Sequence, residues 1–480
     1  MESLAEKITQ FVQKNEEKYR RLSQEIWGYA ELAFQEEKSV RALTEMLEQE
    51  GFRITAGLAG IPTAFVAEYG AGKPVIGILG EYDALPSLSQ KAGCNRREEL
   101  VPSGAGHGCG HNLLGVGAAA AAVAVKDYMK ETGLEGTIAF YGCPAEENGS
   151  AKVYMSRDGV FDGLDGVFTW HPGSNNSIMG EHSLAAVSAV YRFHGRATHA
   201  AGQPHLGRSA LDACELMNVG VNYLREHMIQ EARIHYAYRD AGGAAPNVVQ
   251  DHAALYYFIR SPKISQALEL RERVDNCARG AALMTGTTVE ILPVDGMCDY
   301  LPNHVLSEVL QKSFEATGAP QFDGQDREIA RSFQQNYPAA EVEAKVKAYG
   351  AKFGEEYVPM FLGQPLQDVV FPLRFPSTPL FGSTDVGDVS YVAPTAWLNA
   401  ACYAIGTSGH SWQLAAQGGT SVGEKGMLAA AKAMAHAAVT VLETPSLLQK
   451  AAEEHQKTTG GKYVCAVPAD AKPHIQGTVG

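Results

Sequence analysis

Residues Gly106-His107-Gly108-Cys109-Gly110-His111-Asn112 set a thiol and an imidazole two positions apart on a glycine-rich loop. Cys, His and carboxylate are the ligand types that divalent ions such as zinc take. Glycines let a backbone turn tightly around a buried ion. A helix opening just after the loop favours a thiolate at Cys109. Glu146 and Glu147 are adjacent carboxylates after Pro144. In such a pair one member can bind metal while the other acts as general base on water. His171 follows the apolar run Val167-Phe168-Thr169-Trp170, and His410 lies in the glycine-containing stretch Gly406-Thr407-Ser408-Gly409 to Trp412. Each feature alone has a bland reading: a turn with a buried Cys, a solvated charge pair, two structural histidines. Their joint occurrence favours metal chemistry.

The elements that must position these groups follow from periodicity. Ile8, Phe11, Val12, Tyr19, Leu22 and Ile26 recur at helical spacing over 5–27, and a second amphipathic helix is predicted over 37–50, closed by Gly51. Strand-like runs at 64–69, 74–79, 137–141 and 166–170 flank a long helix over 112–129, which predicts an α/β unit with a mostly parallel sheet. Ligands of such sheets gather at the carboxyl ends of strands. Glu81 with Asp83, Glu146 with Glu147, and His171 each fall just beyond such a run. Residues 185–296 read strand, helix, strand, strand, helix, strand, the βαββαβ order of a small ferredoxin-like domain. The predicted division is a catalytic domain over 1–184 and 297–480, interrupted by an inserted lid or dimerisation domain over 185–296. Helices dominate after 301, a strand is predicted at 397–405, a long helix begins at Gly426, and the tail after Lys457 is expected to be loose.

Composition narrows the function. The chain has 480 residues, 45% hydrophobic and 20% charged, with a net charge of −14. That is globular composition, and it lacks the basic field that nucleic acid requires. The N-terminus is charged throughout and reads as no signal peptide. No run of about 18 apolar residues predicts a membrane span. Eight cysteines without framework spacing suit free thiols in a reducing cytoplasm.

Several stretches resemble one metallopeptidase family. Gly80-Glu81-Tyr82-Asp83-Ala84-Leu85-Pro86, the 106–112 loop, Pro144-Ala145-Glu146-Glu147, Trp170-His171-Pro172, residues 194–213, Pro246-Asn247, the 383–390 loop and residues 425–432 are similar in order and spacing to the aminoacylase/carboxypeptidase G family. The resemblance spans nearly the whole chain and is weakest at 320–370. It implies a zinc-exopeptidase-like fold and a two-metal amidohydrolase that cuts N-acyl or N-aroyl amino acids, with p-aminobenzoyl-glutamate as first choice of substrate. Dipeptides with a basic C-terminal residue and other N-acyl amino acids come next. It implies two divalent ions, manganese or zinc, bridged by Cys109. His111 and His171 would complete one ion, and Glu147 and His410 the other. Glu146 would be the general base, and His199 would hold the developing oxyanion. Asn247 and Arg260 would bind the substrate carboxylate. It also implies a homodimer, or a hetero-oligomer with a related A-type subunit.

The chain departs from many branches in carrying Glu81-Tyr82-Asp83 for His-x-Asp, and Cys109 for a bridging carboxylate. Asp83 is then expected to orient a ligand, and His107 to be structural. Asp385 and Asp388 either cap their loop or line the site. Two other classes compete: a cysteine hydrolase with Cys109 as nucleophile, and a non-catalytic relative that keeps the fold.

Overall fold

The computed structural model describes residues 2–473 and 475. Among the described residues eleven strands fall into two sheets. They are β1 (Arg53–Ala56), β2 (Phe65–Ala71), β3 (Val75–Glu81), β4 (Gly136–Cys143), β5 (Gly166–Gly173), β6 (Ser177–Ile178), β7 (Ala185–His194), β8 (Arg233–Asp240), β9 (His252–Ser261), β10 (Thr288–Met297) and β11 (Thr395–Ala401).

The larger sheet runs β1-β2-β4-β3-β5-β11-β6. Its four central strands are mutually parallel, from β4 through β3 and β5 to β11. The flanking strands β1, β2 and β6 pair antiparallel. Both faces are covered, so the central strands are apolar on both sides. Ile78, Phe140 and Phe168 point into a core made with helices His111–Thr132 and Ser421–Glu443. Leu79, Tyr141 and Val167 point the other way, against helices Ala151–Arg157 and Val386–Val392. The Ala-rich first helix is buried over most of its length, and small side chains let it lie close to the sheet.

The second sheet runs β10-β7-β9-β8 and is antiparallel throughout. Helices Ala210–Leu224 and Ile264–Thr285 pack on one of its faces through Met217, Val221, Val274 and Ala278 against Tyr191, Leu255, Tyr257 and Ile259. The element order over 185–297 is the βαββαβ order read from the sequence.

Three local features differ from expectation. The first helix breaks at Asn15 into Leu4–Lys14 and Glu16–Tyr29; Asn is a weak helix former whose side chain competes for backbone bonds. The short strands β1 and β6 carry too few residues for a period to show. The tail is not loose over 460–471. Tyr463 donates to Asp388, the Cys298 thiol meets Val464 O, and Arg157 donates to the carbonyls of Pro468 and Ala471. Ala466 and Val467 are buried. Among the described residues no helix is long and apolar enough to cross a membrane.

Candidate metal centre

The candidate ligands meet at the carboxyl ends of the parallel strands. β3 ends at Glu81, and Tyr82-Asp83 continues into the cluster. β4 ends at Cys143, and Ala145 then adopts a left-handed φ of 55°, which turns the chain so that Glu146 and Glu147 follow the strand inward. The Ala145 N–H is held at 2.9 Å by the buried carboxylate of Glu36. His171 lies on β5. His410 has a left-handed φ of 51°, and its N–H donates to Gly108 O at 3.0 Å, which clips its loop to the Cys109 loop. Strain of this kind is found where function fixes the backbone.

Two glycines are needed to bring Cys109 and His111 together. Gly110 has φ +80°, a conformation that L side chains rarely adopt. One turn into the helix, a Cβ on Gly115 would lie 2.7 Å from Glu81 O. The helix therefore approaches the end of β3 closely enough to set His111 beside Glu81.

Cys109, His111 and His171 form one group whose ligand atoms converge, and Cys109, Glu147 and His410 form a second. Cys109 belongs to both. A third group, Glu81, His111 and Glu146, shares His111 with the first. Cys109 Sγ is 3.3 Å from His171 Nε2, and Glu147 Oε2 is 3.3 Å from His410 Nε2. Glu147 is only 5% exposed, whereas His410 is 60% exposed and closes the cluster from its solvent side.

The surroundings fix which ring nitrogens are free. His171 Nδ1 lies 2.8 Å from Pro172 O, so it carries the proton and leaves Nε2 as a lone-pair donor. His111 Nδ1 lies 2.8 Å from Asp83 Oδ1, which directs its Nε2 into the cluster. Asp83 Oδ2 accepts from the Glu147 N–H at 2.9 Å. One buried carboxylate thus orients a residue of each group, as a carboxylate behind a metal-binding histidine does. Asp83→Asn is expected to weaken metal binding by about 10- to 100-fold, because one amide face presents N–H to an N–H. Equilibrium dialysis measures this; unaltered affinity would remove the orienting role.

The donors fit divalent metal. His111 Nε2 and Glu147 Oε1 are buried without a hydrogen-bond partner, a costly state unless something else satisfies them. Charge points the same way. Glu81, Asp83, Glu146, Glu147 and Asp385 crowd together. Burial, then Glu81, Asp385 and Glu147, push the Glu146 carboxyl well above its ordinary range. Burial holds the Cys109 thiol up and depresses His171 to about 4. Added cations would relieve the crowding and draw Cys109 to the thiolate that binds metal.

Lys152 supplies positive charge inside this region. It is wholly buried, with Nζ 2.7 Å from Glu81 Oε1 and 2.6 Å from Asp385 Oδ1. Asp385 also accepts from the Lys152 N–H at 3.0 Å. Asp385 therefore does not cap its own loop; it anchors the lysine that steadies Glu81. Asp388 accepts from the Cys298 N–H and from Tyr463 Oη, each at 2.8 Å, and ties the tail down. His107 lies outside all three groups. Its Nε2 meets Ile26 O at 3.0 Å, and burial lowers it to about 4, so it is a neutral structural histidine.

His199 belongs to none of these groups. His199 is exposed, and its Nδ1 accepts from the N–H groups of Ala201 and Gly202. Asn247 is exposed nearby, its carbonyl accepting from the Ala200 N–H. Arg260 is half-buried on β9, donates to Ser383 Oγ at 2.6 Å and stacks 4.6 Å from the Phe258 ring centroid.

Residues 77–411 match the peptidase family M20/M25/M40. The chain belongs to that family and is a metal-dependent amidohydrolase of it. Its sequence is 42% identical over 477 residues to the B-type subunit of p-aminobenzoyl-glutamate hydrolase of Escherichia coli (strain K12), covering 98% of this chain and 99% of the relative. It is 29% identical over 495 residues to the Xaa-Arg dipeptidase of Homo sapiens, covering 97% and 95%. Among solved structures, a putative aminohydrolase from methicillin-resistant Staphylococcus aureus aligns with a TM-score of 0.65 at 16% identity, over 91% of this chain and 99% of that one. A dinuclear metal-binding M20-family peptidase from Bacillus subtilis aligns at 0.58 and 18%, over 90% and 99%. These structures share the fold.

Proposed function

We propose that the chain hydrolyses the amide bond of N-acyl or N-aroyl amino acids, and p-aminobenzoyl-glutamate, to p-aminobenzoate and glutamate, in particular. The observation that carries this reading is the pair of ligand groups sharing Cys109 with Glu146 beside them. The near full-length relative named for that substrate supports it.

His111 and His171 would hold one divalent ion, Glu147 and His410 the other, and Cys109 both. Two such ions, manganese or zinc, supply Lewis acidity toward the amide carbonyl and make water more acidic. Glu146 takes the proton of the attacking water and returns it to the leaving nitrogen. Asp83 keeps His111 and Glu147 aimed. His199 donates to the developing oxyanion, and Arg260 with Asn247 fixes the free carboxylate.

Residues 1–184 and 297–480 form the catalytic domain in this reading, and 185–296 an inserted lid or dimerisation domain. The exposed apolar row Leu216, Val219 and Tyr223, beside Tyr236 and Tyr238 on the unpaired edge strand β8, suits a homodimer. A neighbouring subunit, or closure of the lid, would then bring His199 to the centre. An A-type partner subunit is the alternative assembly. The eight unpaired thiols suit the cytoplasm.

The test is glutamate release from p-aminobenzoyl-glutamate by protein stripped with EDTA and then supplied with Mn²⁺ or Zn²⁺. Activity is expected only with metal. Activity that survives EDTA but not a thiol reagent would overturn the reading in favour of a Cys109 nucleophile. Metal binding without turnover of any acyl amino acid or dipeptide would favour a non-catalytic relative.

A further inference from the structure

Arg233 on β8 and Arg260 on β9 are directly paired across the small sheet. Side chains of such a pair project from the same face. That face is opposite the two helices, since Ile234, Tyr257 and Ile259 of the same strands lie in the helix-facing core. Both arginines instead reach one short loop of the larger sheet's half. Arg233 stacks 4.9 Å from the Phe381 ring centroid, and Arg260 donates to Ser383 Oγ. Asp385, two residues on, bonds Lys152, which in turn pairs with Glu81 of the metal centre. The two guanidinium groups thus meet the loop that leads to Asp385, the anchor of Lys152.

Neither is neutralised. Among the described residues no carboxylate lies within ion-pairing distance of Arg233 or Arg260, although the chain carries a net charge of −14. The acids Asp240 and Glu290 lie at the other end of the sheet, where they meet His252 and Arg192. Arg233 spends its other bonds on the carbonyls of Gln230 and Ala232. His235, next on the same face, is held below its ordinary range by burial and by Arg260, Arg225 and Arg233. Uncompensated cations packed together on a partly desolvated face form a site that an anion stabilises. Directly opposed strand residues are about 4.5–5.5 Å apart at Cα, close enough for two guanidinium groups to grip two carboxylates of one small molecule.

We propose that Arg233 is a specificity-determining residue that takes the side-chain carboxylate of the substrate while Arg260 takes its α-carboxylate, so that the preferred substrates are N-acyl derivatives of dicarboxylic amino acids. This rests on the amidohydrolase reading above and deepens it. The same cations disfavour dipeptides ending in a basic residue, because like charges would face each other without solvent.

The experiment compares kcat/KM for p-aminobenzoyl-glutamate and p-aminobenzoyl-glutamine, which differ in one charge, in the native, Arg233→Gln and Arg233→Lys proteins loaded with metal. The native protein is expected to prefer the glutamate derivative by at least about tenfold, as loss of one charge-assisted pair implies. Arg233→Gln should cut that preference at least tenfold, mainly through KM, and Arg233→Lys should restore part of it. A native protein without preference, or a preference that survives Arg233→Gln, overturns the inference while leaving the amidohydrolase reading intact. If the native protein hydrolyses neither compound, p-aminobenzoyl-glutamate fails as the substrate, and calorimetric binding of N-acetyl-glutamate against N-acetyl-glutamine decides Arg233 by itself. Selective binding lost in Arg233→Gln supports it, and equal or no binding overturns it.

Discussion

Glu146→Gln is expected to lower kcat on p-aminobenzoyl-glutamate by at least about 10³-fold while the protein still takes up two metal ions. General acid–base catalysis is worth about 10²–10⁴-fold, and here one carboxylate serves both proton transfers, so its loss falls toward the upper end. The amide is nearly isosteric and cannot carry the proton. Metal uptake should persist because Glu146 lies outside both groups that contain Cys109. Metal analysis and single-turnover kinetics on the same sample check both halves. A variant with near-native turnover would show that another group moves the proton; one that loses metal would place Glu146 among the ligands.

Cys109→Ala is expected to lose both metals and all activity together. Cys109 is the one residue common to the two groups, so the substitution deprives each of them of a donor at once. The resulting gap leaves His171 Nε2 without its 3.3 Å neighbour. Added Mn²⁺ or Zn²⁺ should raise the melting temperature of the native protein by mass action and leave that of the variant where it was. A fully metallated, active Cys109→Ala protein would end the shared-ligand role. A metallated but inactive one would revive the thiol as nucleophile.

Much of the centre was legible because its signals are local. Glycines flank Cys109 and His111, Pro144 precedes the Glu pair, and His171 closes an apolar strand. The structure brings Cys109, His111, Glu147, His171 and His410 together. Apolar runs likewise revealed the central strands of the larger sheet, which are buried along most of their length. Lys152 was illegible. In a short helix a lysine reads as solvated, and only the meeting of β3 with the 383–388 loop shows that it is wholly buried between two carboxylates. Glu36 was missed for the same reason: its partners, the N–H groups of Phe34 and Ala145, belong to backbone turns that no side-chain pattern records. Arg233 looked like an ordinary strand-end cation until the register set it opposite Arg260. Long-range pairing decides all three.

The bond from the His410 N–H to Gly108 O joins two loops from distant parts of the chain, with the whole antiparallel unit between them. A chain still emerging from the ribosome has made Cys109, His111, Glu147 and His171 long before residue 410 exists. The second group of donors cannot close until β11 has docked beside β5 and the loop behind it has folded back. Such late, non-local closure is slow relative to local structure, and ion binding that depends on it becomes part of the folding free energy. Acquisition of both ions therefore depends on the completed fold.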